Sequence, residues 1–396
     1  MLLREPHKLF MSAGHQRFLL LLSVCFLFPF FYSCGNPIMV NLLSPFRKTN
    51  ALVPDIIVQP VSASYDFGDS AAPLTVSATA DDGGTLSYQW YKNGVPIPGE
   101  TSGTCAPATD SLGNCSFHVV VTNTIADNGD RGNKSATAVS NAAIINTSLR
   151  SINSIRLYLS SVSHGSVPAD PAPLPVSIGL GDTTEPESVW IDLLGVLDEA
   201  GVFVDLDLSA CSISGTGFGS TYAGSGGKDG IVSIVLPSGI TSISDGAFGD
   251  CTNLVGIRPL DGLISIGEAA FSGCAKLARI DLFGSLNSIG AYAFADCGSL
   301  NRIAMPDGIT SVDAGTFSGC GSLATVIFPA VTSIGNSAFA SCESLSAITL
   351  GKADCDISTG GQSERFKDFI GFYIVSPQNA AAGTYTWNAG AWTGPH

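Results

Sequence analysis

Apolar residues recur at a fixed interval between residues 231 and 350, and small or polar residues fill the positions between them. The repeated unit has the general form Ser-Ile-x-x-x-Ala-Phe-x-x-Cys-x-x-Leu-x-x-Ile. Five units begin at Ser242, Ser265, Ser288, Ser311 and Ser333, at intervals of 23, 23, 23 and 22 residues. A half unit, Ile231–Pro237, precedes them. Self-similarity with a period of about 20–50 residues is typical of stacked repeats.

The repeat predicts columns of buried side chains. A single unit cannot bury its own apolar side, but units that stack on one another share a continuous core. Equivalent strands then pair in parallel at about 4.8 Å. We therefore expect a column of phenylalanines and a column of cysteines inside the stack. The members are Phe248, Phe271, Phe294, Phe317 and Phe339, and Cys251, Cys274, Cys297, Cys320 and Cys342.

The chain has 11 cysteines, and five of them belong to this column. Stacked cysteines have parallel side-chain vectors, which the geometry of a disulfide does not bridge. We interpret the five as buried thiols that pack as small apolar groups and donate to the turn backbone. Since no histidine accompanies them, the column does not predict a metal site.

The repeats carry a family resemblance. The motif Ala-Phe-x-x-Cys-x-x-Leu-x-x-Ile-x-Leu-Pro is similar to the BspA-like leucine-rich repeats of bacterial surface proteins. Pro259 replaces the buried leucine of the first strand, and Phe283 and Gly351 replace the terminal proline of the second and fifth. The resemblance implies a leucine-rich-repeat solenoid. It also implies adhesion to proteins of a host or a neighbouring cell.

Flanking segments are expected to cap the solenoid, because its end coils would otherwise be exposed. Residues 148–230 are assigned to a linker and a small α/β N-terminal cap, with an amphipathic helix over Glu187–Ala200 and a strand over Val202–Leu208. Residues 351–396 are assigned to a C-terminal cap, in which Gly371–Val375 and Thr384–Trp387 close the end.

Residues 51–147 show short β-branched runs separated by turn residues, which is typical of a β-sandwich. Asn93-Gly94 is a strong hairpin turn motif. The run Tyr88-Gln-Trp90-Tyr-Lys-Asn-Gly94 resembles strand C of bacterial immunoglobulin-like domains. The resemblance makes Trp90 the core tryptophan and places Phe117 at the tyrosine corner. The inter-sheet disulfide of antibody domains is absent.

Cys105 and Cys115 flank one loop of this domain. Outside the cytoplasm they could pair in a disulfide, and the alternative is two free thiols. The nearby run Asp127–Asn133 lacks the spaced carboxylates and the closing glutamate of an EF-hand, so we interpret it as a hairpin turn.

The N-terminus has the features of an export sequence. Three basic residues precede an apolar run of about 15 residues that is too short for a comfortable membrane span. Phe31-Tyr-Ser-Cys34-Gly resembles a relaxed lipobox, which implies a lipoprotein signal peptide over residues 1–33, lipidation of Cys34 and a tether over residues 34–50. An ordinary cleaved signal peptide and an uncleaved membrane anchor are the alternatives.

A candidate ligand face follows from the alternation of side chains along each repeat strand. Its members project outward beside the aliphatic core: Arg258, Arg279, Asp281, Arg302, Thr325, Ile327 and Thr349. Three arginines from consecutive coils could receive a carboxylate or sulfate. The alternatives are a solvated face on which Asp281 is the ionic partner, and a shallow protein-binding surface with Val235 and Ile327 as apolar contacts.

Composition and charge narrow the range of partners. Only 13% of the residues are charged, and the net charge is −15. Nucleic acid is excluded as an expected partner, because phosphate binding needs a basic surface. Low charge with abundant glycine and β-branched residues favours short strands and tight turns.

The sequence does not predict an enzyme. After residue 33 only three histidines remain, and no His-x-x-x-His or Gly-x-Ser-x-Gly motif is present. The run Tyr222–Asp229 resembles a phosphate loop only superficially, since Tyr222 replaces the first glycine and Asp229 replaces the hydroxyl residue that holds magnesium. We expect no catalytic residue, no metal and no cofactor.

These observations combine into one expectation. The fold is mostly β: an immunoglobulin-like β-sandwich, then a leucine-rich-repeat solenoid over residues 231–350. The function is that of an exported, lipid-anchored surface protein, adhesin-like and non-enzymatic, whose repeat strands bind an extracellular protein or glycan. The alternative is a structural envelope component that associates with itself.

Overall fold

A computed structural model describes residues 50–126, 132–219, 226–258, 261–358, 360–363, 366–369, 382–388 and 391–394. Except for Asn50, the predicted signal peptide, Cys34 and the tether lie outside the described residues, as does Gly371–Val375 of the predicted C-terminal cap. The described residues form two compact units. The first contains 50–61, 74–105 and the described part of 117–142. The second contains 62–73, 106–116 and the described residues from 143 onward.

The chain is mostly β. The strands before the first helix are β1 Asp55–Val58, β2 Ala63–Asp66, β3 Leu74–Thr75, β4 Ser77–Thr79, β5 Thr85–Lys92, β6 Val95–Pro96, β7 Thr104–Cys105, β8 Gly113–Thr124, β9 Ser135–Val139 and β10 Ala143–Ser148. Then come α1 Ile152–Ser161, β11 Ala172–Pro175, β12 Gly179–Gly181, α2 Val189–Ala200, β13 Val204–Asp207, β14 Ser212–Ile213 and β15 Gly217–Phe218.

The repeat region contains β16 Ile231–Val235, β17 Ser242–Ile243, β18 Gly256–Arg258, β19 Ser265–Ile266, β20 Ser288–Ile289, β21 Arg302–Ala304, β22 Ser311–Val312, β23 Thr325–Phe328, β24 Ser333–Ile334 and β25 Ala347–Leu350. The last strands are β26 Asp356–Ile357, β27 Gly383–Asn388 and β28 Ala391–Thr393.

The first unit is built from antiparallel pairs: β5 with β6 and β8, β8 with β9, β1 with β4 and β3 with β7. Side chains on β8 alternate, and Phe117, Val119 and Val121 are buried. Trp90 on β5 is fully buried, and its Nε1 donates to the Ser102 carbonyl at 2.9 Å. Asn93 lies in the turn between β5 and β6 with φ 51°.

Cys105 and Cys115 are free thiols in the structure, which was the second of the two alternatives. Cys105 is buried, whereas Cys115 is half-buried on β8. Burial in a low-dielectric environment raises the pKa of Cys105 to about 11, with the nearby Glu100 charge as a smaller cause. This thiol therefore packs as an apolar side chain.

The second unit begins with β2, which pairs in parallel with β10. Asp66 at the end of β2 accepts a hydrogen bond from Ser151 Oγ at 2.6 Å, and Ser151 forms a capping box with Ser154 at the start of α1. Burial raises the pKa of Asp66, but its hydrogen bonds outweigh burial and the net pKa is lowered. The predicted range 51–147 coincides with neither unit, because residues 62–73, 106–116 and 143–147 pack with the second.

Equivalent strands of successive coils pair in parallel. One sheet has the order β11-β13-β16-β18, and a second has the order β21-β23-β25-β27-β28. The short Ser-Ile strands form two further sheets, β15-β17-β19-β20 and β22-β24-β26. The register places each residue against its repeat equivalent, as in Ser242 opposite Ser265 and Ser265 opposite Ser288.

The repeat phenylalanines are fully buried. Neighbouring ring centroids from Phe248 to Phe339 lie 5.4–5.7 Å apart, with interplanar angles of 2–18°. Phe218 extends the stack at its N-terminal end, where it contacts Trp190 of α2. The aromatic column therefore joins the α/β N-terminal segment to the repeats.

The turn after each Ser-Ile strand forms its own hydrogen bonds between coils. The Phe271 amide donates to the Ala293 carbonyl at 2.8 Å, and the Phe294 amide donates to the Thr316 carbonyl at 2.9 Å. Four of the column cysteines add a side-chain bond, because each thiol donates to the phenylalanine carbonyl of the preceding coil at 3.0–3.2 Å. They are Cys274, Cys297, Cys320 and Cys342.

At the C-terminal end, Gln362 takes the place of a further coil. Its Oε1 accepts the Phe339 amide at 2.9 Å, and its Nε2 donates to the carbonyls of Gly335 and Ser358 at 2.8 and 3.1 Å. The antiparallel strands β27 and β28 extend the second strand sheet beyond β25.

The N-terminal edge strand β11 carries Pro173 and Pro175. The amides of the alternate residues Ala172 and Val176 donate inward, to the carbonyls of Phe203 and Asp207. The two prolines therefore occupy the positions whose N–H groups would point away from the sheet, and proline has none. Tyr158 of α1 donates its hydroxyl to the Pro173 carbonyl at 2.8 Å. This edge offers little to a further strand.

Candidate functional site

The outward side chains of the long repeat strands form two columns, which together we call the strand face. The register aligns Asp205, Ser233 and Gly256 in one column and Asp207, Val235 and Arg258 in the other. Further along, Arg302, Thr325 and Ala347 continue the first column, and Ala304, Ile327 and Thr349 continue the second. Because side chains alternate across a strand, the residues between them point into the core.

The sequence predicted one continuous ladder of parallel strands under this face. The ladder is instead interrupted at the coil that contains Arg279 and Asp281. Residues 277–283 form no strand, so β18 and β21 are edges of separate sheets. The coil stays in the stack through the Asn301 amide, which donates to the Ala278 carbonyl at 3.4 Å.

The sequence gives a physical reason for this interruption. In intact coils the residue after the outward side chain of the second column donates to the next strand. Leu236, after Val235, donates to the Arg258 carbonyl, and Met305, after Ala304, donates to the Ile327 carbonyl. The equivalent residue before the interrupted coil is Pro259, and proline has no N–H to donate to the Asp281 carbonyl.

The three arginines of the strand face differ in their partners. Arg279 binds Asp281 of its own coil, with Nη2–Oδ1 at 2.8 Å and Nε–Oδ1 at 2.9 Å. Both side chains are mostly exposed, so the pair contributes little stability. Arg258 and Arg302 are exposed and form no ion pair with any residue that the structure describes. The guanidinium groups of Arg258 and Arg302 therefore have no ionic partner among the described residues. Between them lies the coil in which Arg279 and Asp281 neutralise each other.

The C-terminal part of the strand face is uncharged. Thr325, Ile327 and Thr349 are half-buried. Thr349 Oγ1 lies 3.0 Å from Thr384 Oγ1 on β27, so the terminal hairpin extends this surface. No repeat spacing links Thr384 to the coils, so the sequence does not predict it as part of this face.

Asp205 and Asp207 also belong to the strand face but were not among its predicted members. The signal for them is the alternating run Val204-Asp-Leu-Asp207, which is typical of a half-buried strand. The Ser233 hydroxyl donates to Asp205 Oδ1 at 2.6 Å. The face is therefore acidic at its N-terminal end, cationic in the middle and hydroxyl-rich at its C-terminal end.

The cysteine column does not supply reactive groups. Burial raises the pKa of Cys251, Cys297 and Cys342 to about 12, and it raises the pKa of Cys274 and Cys320 further. Nucleophilic or metal-binding cysteine requires the thiolate. In the described part of the chain, no group of three or more His, Cys, Asp or Glu side chains is arranged to hold a metal ion. Within the same residues, no helix has the length and apolar character of a membrane span.

Residues 227–346 match the family model for the BspA type leucine rich repeat region, in six copies. The predicted leucine-rich repeats of this type are confirmed for that segment, which includes the half unit, the first four full units and the fifth unit up to Ser346. No curated protein matches the chain.

Three solved structures are similar to parts of the chain. One is a leucine rich repeat protein of T. pallidum, 28% identical over 30% of this chain and 66% of that one, with a TM-score of 0.27. Another is a leucine rich cell surface protein of Faecalibacterium prausnitzii, 24% identical over 58% and 51%, with a TM-score of 0.30. The third is a leucine-rich repeat protein of Bacteroides ovatus, 23% identical over 35% and 49%, with a TM-score of 0.26. The chain spans 66% or less of the length of these proteins.

Proposed function

We propose that this protein is an exported, lipid-anchored binding protein of the cell envelope that recognises an extracellular protein or glycan through the strand face. Its role is adhesive and non-enzymatic. The observation that carries the proposal is the pair of outward columns from Asp205 to Thr349, which presents charged, apolar and hydroxyl groups on a regular backbone.

The composition of the strand face supports a macromolecular partner. Exposed Arg258 and Arg302 lie on the same surface as half-buried Val235 and Ile327. Arginine is enriched in protein interfaces, whose buried centres are more apolar than the rest of the surface. A partner with a carboxylate or sulfate opposite either arginine would form a charge-assisted hydrogen bond.

The ends of the stack argue against the alternative, an envelope component that polymerises end to end. Pro173 and Pro175 remove the outward N–H donors of the N-terminal edge strand. At the other end, Gln362 accepts the hydrogen bond of the Phe339 amide in the last coil, and β27 pairs with β25. Closed ends favour a foreign partner over stacking of further copies.

Attachment through a lipid on Cys34 belongs to the same proposal and rests on the lipobox-like run Phe31–Gly35. Metabolic labelling with an alkyne fatty acid in a bacterial host should mark the wild-type chain and leave Cys34→Ala unmarked. Equal labelling of both chains would contradict the anchor without affecting the strand face.

The binding proposal is tested with a panel of immobilised extracellular-matrix proteins and polysaccharides. Ala304 is exposed in the middle of the strand face, so Ala304→Arg adds bulk there without disturbing the core. The matched control is Ser344→Arg, which adds the same side chain at an exposed position outside the two columns.

We expect the wild type and Ser344→Arg to retain at least one member of the panel, and Ala304→Arg to lose at least tenfold in affinity. Equal binding by both variants would overturn the strand face as the binding surface. Concentration-dependent assembly of the wild type in size-exclusion chromatography, with no retained panel member, would favour the structural alternative.

A further inference from the structure

A second concave surface lies along the short Ser-Ile strands and is separate from the strand face. It is a groove of about 700 Å³ that crosses successive coils. The first coil contributes residues 242–245, the second contributes residues 265–268, and Ser288, Gly290, Ala291 and Asp313 continue the lining. Ligand sites in proteins are typically concavities of about 300–1,000 Å³ with a few convergent polar groups.

The groove presents hydroxyl groups that have no hydrogen-bond partner among the described residues. The side-chain hydroxyls of Ser242, Ser265 and Ser288 lie in register on β17, β19 and β20, and Ser244 lies beside them. None of the four forms a hydrogen bond with any residue that the structure describes. Each hydroxyl can donate one hydrogen bond and accept two. The groove therefore offers a row of both functions at the inter-strand spacing.

Carboxylates complete the polar lining. Asp245, Glu268 and Asp313 are exposed in the groove, and no lysine or arginine is among its lining residues. Ionised carboxylates accept strong hydrogen bonds from hydroxyl and ammonium groups. The same charges repel sulfate and carboxylate, so an anionic ligand is disfavoured here.

An exposed aromatic ring stands next to the groove. Tyr292 follows the lining residue Ala291 directly, and the residue is 45% exposed. Its backbone has φ 56°, a conformation that the equivalent positions Gly246 and Gly315 share with φ 59° and 64°. A bulky residue in this region is disfavoured, since it costs about 1 kcal/mol or more relative to glycine. The stack itself therefore does not require a tyrosine here.

We infer that this groove binds a glycan that is neutral or bears free amino groups. Sugar hydroxyls would exchange hydrogen bonds with the four serines and the carboxylates, and a sugar ring would place its C–H face on Tyr292. Aromatic rings with one polar end suit such half-wet contacts. A polypeptide would use the carboxylates through its basic side chains, whereas every sugar residue brings several hydroxyl groups to the serine row.

The test is titration calorimetry of the full chain in detergent with a chitosan hexamer, its fully N-acetylated form and a heparin hexasaccharide. We expect the chitosan hexamer to bind most tightly because its ammonium groups face three carboxylates, the acetylated hexamer to bind more weakly, and the heparin fragment not to bind. The inference is overturned if the chitosan hexamer does not bind or if the heparin fragment binds as tightly.

Two variants separate glycan binding from simple charge attraction. Tyr292→Gly introduces the residue that Gly246 and Gly315 provide at the equivalent positions of their coils, so the fold should be retained while affinity for the chitosan hexamer falls at least tenfold. The matched control, Phe283→Ala, removes another aromatic residue that is 44% exposed but is not next in sequence to any lining residue of the groove, and it should leave affinity unchanged.

Glu268→Gln is the second variant. It keeps the shape of the groove and should weaken the chitosan hexamer by about tenfold while changing the acetylated hexamer by less. A lysine hexapeptide serves as the competitor. If it displaces the chitosan hexamer completely and Tyr292→Gly has no effect on either ligand, the groove is an acidic peptide site and the inference fails. Binding of the matrix panel to the strand face is independent of these outcomes.

Discussion

The ring of Tyr292 lies over Gly315 of the next coil, so closely that a Cβ atom at Gly315 would collide with ring carbons Cδ1 and Cε1. Both residues occupy the same position of their repeats and have left-handed φ angles of 56° and 64°. The glycine of one coil therefore creates the space in which the tyrosine of the previous coil lies.

This relationship predicts non-additive stability. Gly315→Ala should lower the free energy of unfolding by about 2–3 kcal/mol, from left-handed backbone strain and from the collision with the ring. In a Tyr292→Gly background the same change should cost only about 1 kcal/mol, since the strain remains and the collision is gone. Urea unfolding of the four chains gives the coupling energy. Additive costs would show that the ring moves away freely.

The cysteine column predicts a loss of stability at alkaline pH. Unfolding releases thiols with a pKa of about 9, whereas burial holds the pKa of Cys251, Cys297 and Cys342 near 12 in the folded chain. Below pH 9 both states are protonated and the contribution of the thiols to folding is complete. As pH rises from 9 toward 12, only the unfolded state ionises, so the free energy of unfolding falls.

We expect this loss to reach about 1 kcal/mol per buried thiol at pH 10. Thermal melts between pH 7.5 and pH 10 measure it, and Cys297→Ala should reduce the pH dependence while lowering stability at every pH. Iodoacetamide should label the column only after unfolding. Rapid labelling of the folded chain at pH 8 would contradict the assignment of these thiols to the core.

The C-terminal end of the stack predicts a loss of stability when the Gln362 side chain is changed. Gln362→Ala leaves the buried Phe339 amide without an acceptor, which costs about 1–3 kcal/mol. Gln362→Glu keeps the acceptor but loses the two bonds that Nε2 donates, so it should also be destabilising. Hydrogen exchange should accelerate most at the Phe339 amide in Gln362→Ala. Unchanged exchange there would show that another group replaces the glutamine.

The proline edge predicts a change of association rather than of stability. Pro173→Ala with Pro175→Ala restores two outward N–H groups on β11 and opens the edge to another strand. Size-exclusion chromatography with light scattering should show concentration-dependent dimers of the double variant and monomers of the wild type. Dimers of the wild type at the same concentration would show that the prolines of β11 do not prevent association.

Much of the repeat region could be predicted from the chain. The interval of 23 residues between Phe271 and Phe294 predicts that the two rings share a column, and their centroids lie 5.5 Å apart. The matched segment 227–346 confirms the repeat type. These features are local and periodic, so one coil determines the environment of the next.

Other features required the folded chain. Residues 62–73 pack with the second unit rather than with the strands that surround them in sequence, because β2 pairs with β10. Cys105 and Cys115 are close in sequence and yet both free. In the candidate sites, the pairing of Arg279 with Asp281 was one of the alternatives that the sequence offered, whereas the serine groove depends on side-chain directions that repeat spacing does not specify.

By itself, the sequence determined the period, the identity of the buried columns and the alternation that makes a strand face, since a chain that must bury one side of every coil can place its large apolar residues in only one way. The tertiary structure alone decided which residues close the ends and which of the described hydroxyl groups lack a hydrogen-bond partner. Those outcomes depend on hydrogen bonds between residues of different coils or of distant segments. The partners of such bonds come together only when the chain has folded, so the order of residues along the chain does not specify them.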